Sequence, residues 1–80
     1  MRIYDPANDV ALRELILYLT LDEAKELTSG LRQMLERASV NDHIHLNDIE
    51  YSHEIILAVY DEANLKGFNE RSIKLIREDR

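Results

Sequence analysis

The stretch DHIHLNDIEYSHEI, residues 42 to 55, holds all three histidines of an 80-residue chain. On a strand, residues i and i+2 point to one face, so His43 and His45 can present their imidazoles side by side. Two imidazoles with a third ligand suit zinc or another borderline divalent ion. A hairpin with residues 47–50 as a four-residue loop places His45 opposite Ser52 and His43 opposite Glu54. His43, His45 and Glu54 are then a candidate two-histidine, one-carboxylate metal set. The same register turns His53 towards the helix side, as a hydrogen-bonded histidine at the edge of the core. Against the metal reading, an edge strand commonly carries polar side chains simply to discourage further pairing. A third use of the pair is a pH-dependent interface, since histidine changes charge near pH ~6.5.

Other chemistry is sparse. Ser52 and His53 are neighbours in sequence and so fall on opposite faces of a strand, a poor nucleophile–base arrangement. Glu14 and Glu54 can share a face, but nothing else suggests a cleft for paired-carboxylate hydrolysis. Gly30 and Gly67 are isolated, which gives no phosphate-cradling loop. The chain has no cysteine, which excludes disulfides and thiolate zinc sites. A domain this small has little room for a deep pocket. The expectation is a protein that is not an enzyme and takes no cofactor. The alternative is a small metal- or histidine-dependent enzyme working at the His43, His45 and Glu54 edge.

The elements that would position these residues can be read from pattern. Residues 1–4, MRIY, suit a short first strand, and DPAND supplies a dense turn signal. ELILYL, 14–19, reads as the second strand, extending back as far as Val10. Thr20 and Glu23 match a capping box, with Asp22 and Glu23 at the positive end of the helix dipole. Ala24, Leu27, Leu31, Met34, Leu35 and Ala38 then keep helical spacing, predicting an amphipathic helix from about 21 to 38. Strands are expected at about 42–47 and 51–60. The last helix, with Leu65, Phe68, Ser72, Leu75 and Ile76 on one face, is expected to begin between 62 and 68 and to end near 78. ELILYL and EIILAV also echo each other 40 positions apart, as a duplicated hairpin-plus-helix unit would, or as two amphipathic strand–helix joints do by chance.

The order is ββαββα in a single domain spanning 1–80. The simplest arrangement is an α+β two-layer sandwich: a four-stranded antiparallel sheet in the order 1-2-4-3, with both helices on one face. Leu15, Leu17, Leu19, Ile55, Leu57 and Val59 would face the helices. Alternation leaves Leu12, Glu14, Ile16 and Tyr18 on the open face with Glu54, Ile56, Ala58 and Tyr60, and Tyr4 nearby. An apolar, tyrosine-bearing face of several hundred Å² is large for a monomer and suits an interface.

Composition agrees with such a role. Hydrophobic residues make up 45% and charged residues 32%, with a net charge of −6, the profile of a folded domain. A negative domain is repelled by phosphate backbones, so nucleic acid is not an expected partner. Arg71, Lys74 and Arg77 on the last helix are accounted for by solvation and by the helix's negative end. No segment is long and apolar enough for a membrane span, and MRIYD does not open a signal peptide. The expected protein is a cytoplasmic interaction module. Its partner set is itself, as a homodimer through Tyr4, Leu12, Ile16, Tyr18, Ile56, Ala58 and Tyr60, or a more basic protein met as an inhibitor, immunity, antitoxin or adaptor protein.

Overall fold

The structure is a computed structural model, in which residues 1–37 and 42–80 are described. It is an α+β chain with elements β1 (Ile3–Asp5), β2 (Val10–Leu12), α1 (Leu21–Arg37), β3 (His43–Asn47), β4 (Glu54–Ala58) and α2 (Glu70–Glu78). The strands form two separate two-stranded antiparallel sheets, β1–β2 and β3–β4.

The first hairpin closes around Asp5. Its carboxylate accepts from the Ala7 and Asn8 amides and from the Asn8 side chain, an Asx turn that offers the chain an alternative to continued pairing. Asp9 completes the turn at φ 54°, a left-handed conformation that aspartate tolerates better than most residues. Ile3 pairs with Leu12, and β1 offers partners only that far. The second strand therefore begins at Val10 but ends at Leu12, and residues 14–20 belong to no strand or helix. Their sequence is strand-like, but the structure gives them nothing to pair with.

α1 starts as the capping box predicts. The Thr20 amide donates to Glu23 Oε1 at 2.8 Å, and the Glu23 amide donates back to Thr20 Oγ1 at 3.2 Å. Ala24, Leu27 and Leu31 are half-buried and Met34 is buried, whereas Leu35 is 70% exposed. Leu35 is thus turned out of the stripe, and Ala38 lies outside the described residues. The helix lies against β3, where a Cβ on Gly30 would sit 2.6 Å from Ile44 Cδ1. Gly30 thus leaves room for the end of the Ile44 side chain at this contact. Met34 and Leu46, one from each element, are the buried hydrophobic side chains among the described residues.

In the β3–β4 hairpin, His45 pairs with Ile56 and Asn47 with Glu54. Each β3 residue meets a partner four positions further along than a four-residue loop would give, and the loop runs from Asp48 to His53. An even displacement keeps every side chain on its face. Ile44, Leu46, Ile55 and Leu57 form the more buried face, and His43, His45, Glu54, Ile56 and Ala58 the exposed one.

α2 begins later than its apolar spacing suggests. Residues 61–68 form turns, with the Asn64 amide on Asp61 O and the Phe68 amide on Leu65 O, and Gly67 takes φ 97°. A left-handed residue cannot continue a helix, and Asn69 then caps the helix that follows by accepting from the Ser72 amide. At the other end, Arg2 Nε donates to the carbonyls of Leu75 and Ile76, each at 3.0 Å. The Leu75 carbonyl also accepts from the Asp79 amide, and the guanidinium meets the negative end of the helix dipole. Asp79, beyond the last turn, is paired with Arg13 at 2.5 Å.

Two substitutions test these contacts. Gly30→Ala adds about 1 kcal/mol of helix propensity but drives a methyl into Ile44 Cδ1. Ile44→Val removes that atom, so thermal or urea unfolding of the two single variants and the double variant should show positive coupling, with Gly30→Ala stabilising only when combined with Ile44→Val. Arg2→Ala should cost about 1.5–3 kcal/mol, the range for losing charge-assisted hydrogen bonds.

Candidate interaction surface

The residues expected to form one open face are divided by the structure between three settings. Tyr4 and Leu12 belong to the first hairpin and are half-buried. Tyr4 donates its hydroxyl to Asp9 Oδ1 at 2.5 Å, and the Arg71 guanidinium lies 4.7 Å from its ring centroid. Arg71 Nε donates to the same Asp9 oxygen at 2.6 Å. The trio ties α2 to the β1–β2 turn. The Tyr4 hydrogen bond lowers the Asp9 pKa, helped by Arg71, while the Asp9 bond raises those of Tyr4 and Arg71. Arg71 is therefore engaged within the fold. Beside it lies a shallow depression lined by Arg13, Lys74 and Arg80 together with Asp9 and Asp79, so the cations meet carboxylates in place.

Ile16 and Tyr18 lie in the stretch between the hairpin and α1. Ile16 is 69% exposed and Tyr18 91%. Leu15 and Leu17, which alternation assigned to the helix-covered face, are also exposed at 51% and 46%. Both sides of this ribbon are thus open to water, and only Leu19 is half-buried. Its main chain is open too: among the described residues, Glu14 to Leu19 make no main-chain hydrogen bond. Five consecutive apolar side chains on an unpaired backbone carry two unmet demands, for burial and for hydrogen bonds. Pattern reading found the Ile16 and Tyr18 side of this strip. It missed Leu15 and Leu17 because it supplied them with a sheet.

The third setting is the outer face of β3–β4, where Ile56 is 55% exposed and Ala58 lies beside it. Tyr60, just beyond the strand, is half-buried. His43 and His45 share this face, with ring centroids 5.1 Å apart in an edge-on arrangement, and His45 Nδ1 is 3.3 Å from Glu54 Oε2. His45 thus lies beside both of the others, whereas His43 pairs with Ala58 rather than Glu54 and stands four positions along the strand from Asn47, the partner of Glu54; all three share the face that sequence assigned. Among the described residues, no group of three histidine or carboxylate side chains is arranged to hold a metal ion.

His53 does not face the helices. It sits in the loop, largely exposed, with Nδ1 2.6 Å from Asp48 Oδ2. The longer loop takes it out of the strand, and Asp48 organises that loop by accepting from the Ser52 and His53 amides and from the Ser52 hydroxyl. Tyr51 takes φ 54° to complete the turn. Ser52, His53 and Asp48 thus come together, but Ser52 Oγ and Asp48 Oδ2 approach the same ring nitrogen. A nucleophile–base–carboxylate relay needs them on opposite nitrogens. The trio is a loop clamp. The sequence signal for it was Asp48 four residues before Ser52, an acceptor placed to gather the amides of its own turn.

Compared with protein-family models, with curated proteins and with solved structures, the chain matches none of them. Among the described residues, no helix is long and apolar enough to cross a membrane.

The clamp makes a measurable prediction. The His53 hydrogen bond, with Ser52 and the two amides, holds the Asp48 carboxyl at about 2, below its ordinary 3.8. A depressed carboxylate contributes stability that is fully present above the ordinary value and lost as pH falls through the folded one. An NMR titration of the side-chain carboxyl should give a midpoint near 2. His53→Ala should move it up towards the ordinary range, and Ser52→Ala should move it less.

Proposed function

We propose that this protein is an acidic protein-interaction module that works as a homodimer, with the strip Leu15–Tyr18 and the Ile56–Ala58 face as its contact surface. The observation that carries the reading is the amount of surface left open. The chain exposes 6610 Å², whereas a folded monomer of its 9.4 kDa mass is expected to expose about 5,000 Å². The excess is about 1,600 Å², and the large apolar side chains that meet water include Leu15, Ile16, Leu17, Tyr18 and Leu21.

Association would supply the burial that so small a chain lacks. It would also bring strand-like residues 14–19 into a sheet, which is how the four-stranded 1-2-4-3 layer expected from sequence would be completed. The net charge of −6 leaves the rest of the dimer surface suited to a more basic protein, in an inhibitor, immunity, antitoxin or adaptor role in the cytoplasm.

Sedimentation velocity tests the central statement. The protein should sediment as a dimer at micromolar concentration, and Ile16→Glu should weaken association by about 100-fold or more, because a carboxylate would have to be buried without a partner. Equal masses near 9.4 kDa for both proteins, across the concentration range, would remove the homodimer.

A further inference from the structure

Self-association leaves open how the two copies meet, and we propose that they meet by exchanging strands. On that reading, residues 14–19 of each copy add as an antiparallel strand to the outer edge of β4 in the other. The inference rests on the proposed dimer and gives it a geometry.

Four observations point to this mode. First, Glu14 to Leu19 are extended in sequence character, and among the described residues their main chain makes no hydrogen bond. A side-chain contact alone would satisfy only half of what this strip leaves open, whereas strand addition satisfies backbone and side chains together. Second, β4 pairs with β3 alone among the described strands. Its other edge is a row of donors and acceptors, and a two-stranded hairpin is marginal until a further strand joins it.

Third, the two segments match. With Ile16 placed opposite Ile56, Leu15 meets Leu57 and Leu17 meets Ile55, on the face of the hairpin that α1 covers. Ile16 and Tyr18 then fall beside Ile56 and Glu54 on the outer face. Both Leu15–Leu21 and Ile55–Tyr60 are without charged side chains, so two copies of charge −6 would meet along neutral strips.

Fourth, the arithmetic fits a second copy. Each chain has one unpaired strand and one open β4 edge, so a two-fold pair uses both with neither left over. Within one copy the segment is held at both ends, by the β1–β2 hairpin before it and by the Thr20 cap of α1 after it. In that setting it stays unpaired.

The absence of cysteine in the chain makes cross-linking clean. Equimolar Ile16→Cys and Ile56→Cys single variants are mixed, refolded together and mildly oxidised. Facing residues on paired strands fall within the Cα separation that a disulfide spans. The mixed 16–56 cross-link should form at least ten times faster than a 17–56 cross-link from Leu17→Cys, whose side chain falls on the opposite face. Hydrogen exchange on the unmodified protein gives the second reading: alternate amides within residues 14–19, those turned towards β4, should become about 100-fold more protected between concentrations below and above dimer dissociation.

A dimer whose 14–19 amides stay unprotected and whose 16–56 and 17–56 cross-links form equally would overturn strand exchange while leaving self-association intact. A monomer at every concentration would overturn both. Protection of residues 14–19 that is already complete in the monomer would place the strand within its own copy and also overturn the exchange.

Discussion

The approach of α1 to β3 at Gly30 and Ile44 is the contact on which the second half of the chain depends. A Cβ at position 30 would press on Ile44 Cδ1, so the Ile44 side chain would have to turn aside in the layer that also holds Met34 and Leu46, the buried hydrophobics among the described residues. Fully burying such a side chain is worth about 1.5–3 kcal/mol, while ordering each residue costs about 1–2 kcal/mol. Half-buried side chains on Leu27, Leu31, Ile44, Ile55 and Leu57 extend this core without closing it. A core this thin gives any further apolar burial a large effect on stability.

The other half of the chain is tied by different means. There α2 is fastened to the first hairpin by Arg2 on its last carbonyls, by Arg13 on Asp79 and by Arg71 on Asp9 and Tyr4. These ties are directional and fix orientation, but the ion pairs among them are exposed on at least one side and each contributes little in salt. They also use up charge. Arg71 is committed to Asp9, so Arg71, Lys74 and Arg77 do not form the open basic stripe that their spacing allows on paper.

Local signals in the sequence were legible wherever one interaction decided the outcome. The capping box of Thr20 and Glu23 fixed the start of α1, and the Asp5–Asp9 turn fixed the first hairpin. Face assignments in β3 and β4 also survived, because a displacement of four residues leaves alternation unchanged, so His43, His45, Glu54 and Ile56 lie together on the outer face. The register itself was not legible, since it depends on the Asp48 carboxylate drawing Ser52 and His53 into a longer loop. The start of α2 was misplaced for a similar reason: Leu65 and Phe68 carry helical spacing, but Gly67 and Asn69 decide where the helix begins. The open strip at 14–19 was hidden by the assumption that a strand-like segment has a partner in its own chain.

That disagreement between local preference and observed pairing is itself informative. In a consistent fold, propensity, pattern and hydrogen bonding agree at each position, and places where they diverge tend to be working surfaces. ELILYL has the residue types of a strand, yet it stands unpaired and uncovered on both sides. Such a strip is a hazard for open-ended aggregation unless something limits it. Here Arg13 and Glu14 stand at one end and Asp22 and Glu23 at the other, charges of the kind that flank unavoidable apolar strands. The Thr20 cap then commits the chain to a helix at once. A segment bounded in this way can add one strand to one edge, and its charged ends oppose stacking in longer arrays. The sequence around the strip therefore favours the closed, two-fold pairing proposed for it over an open one.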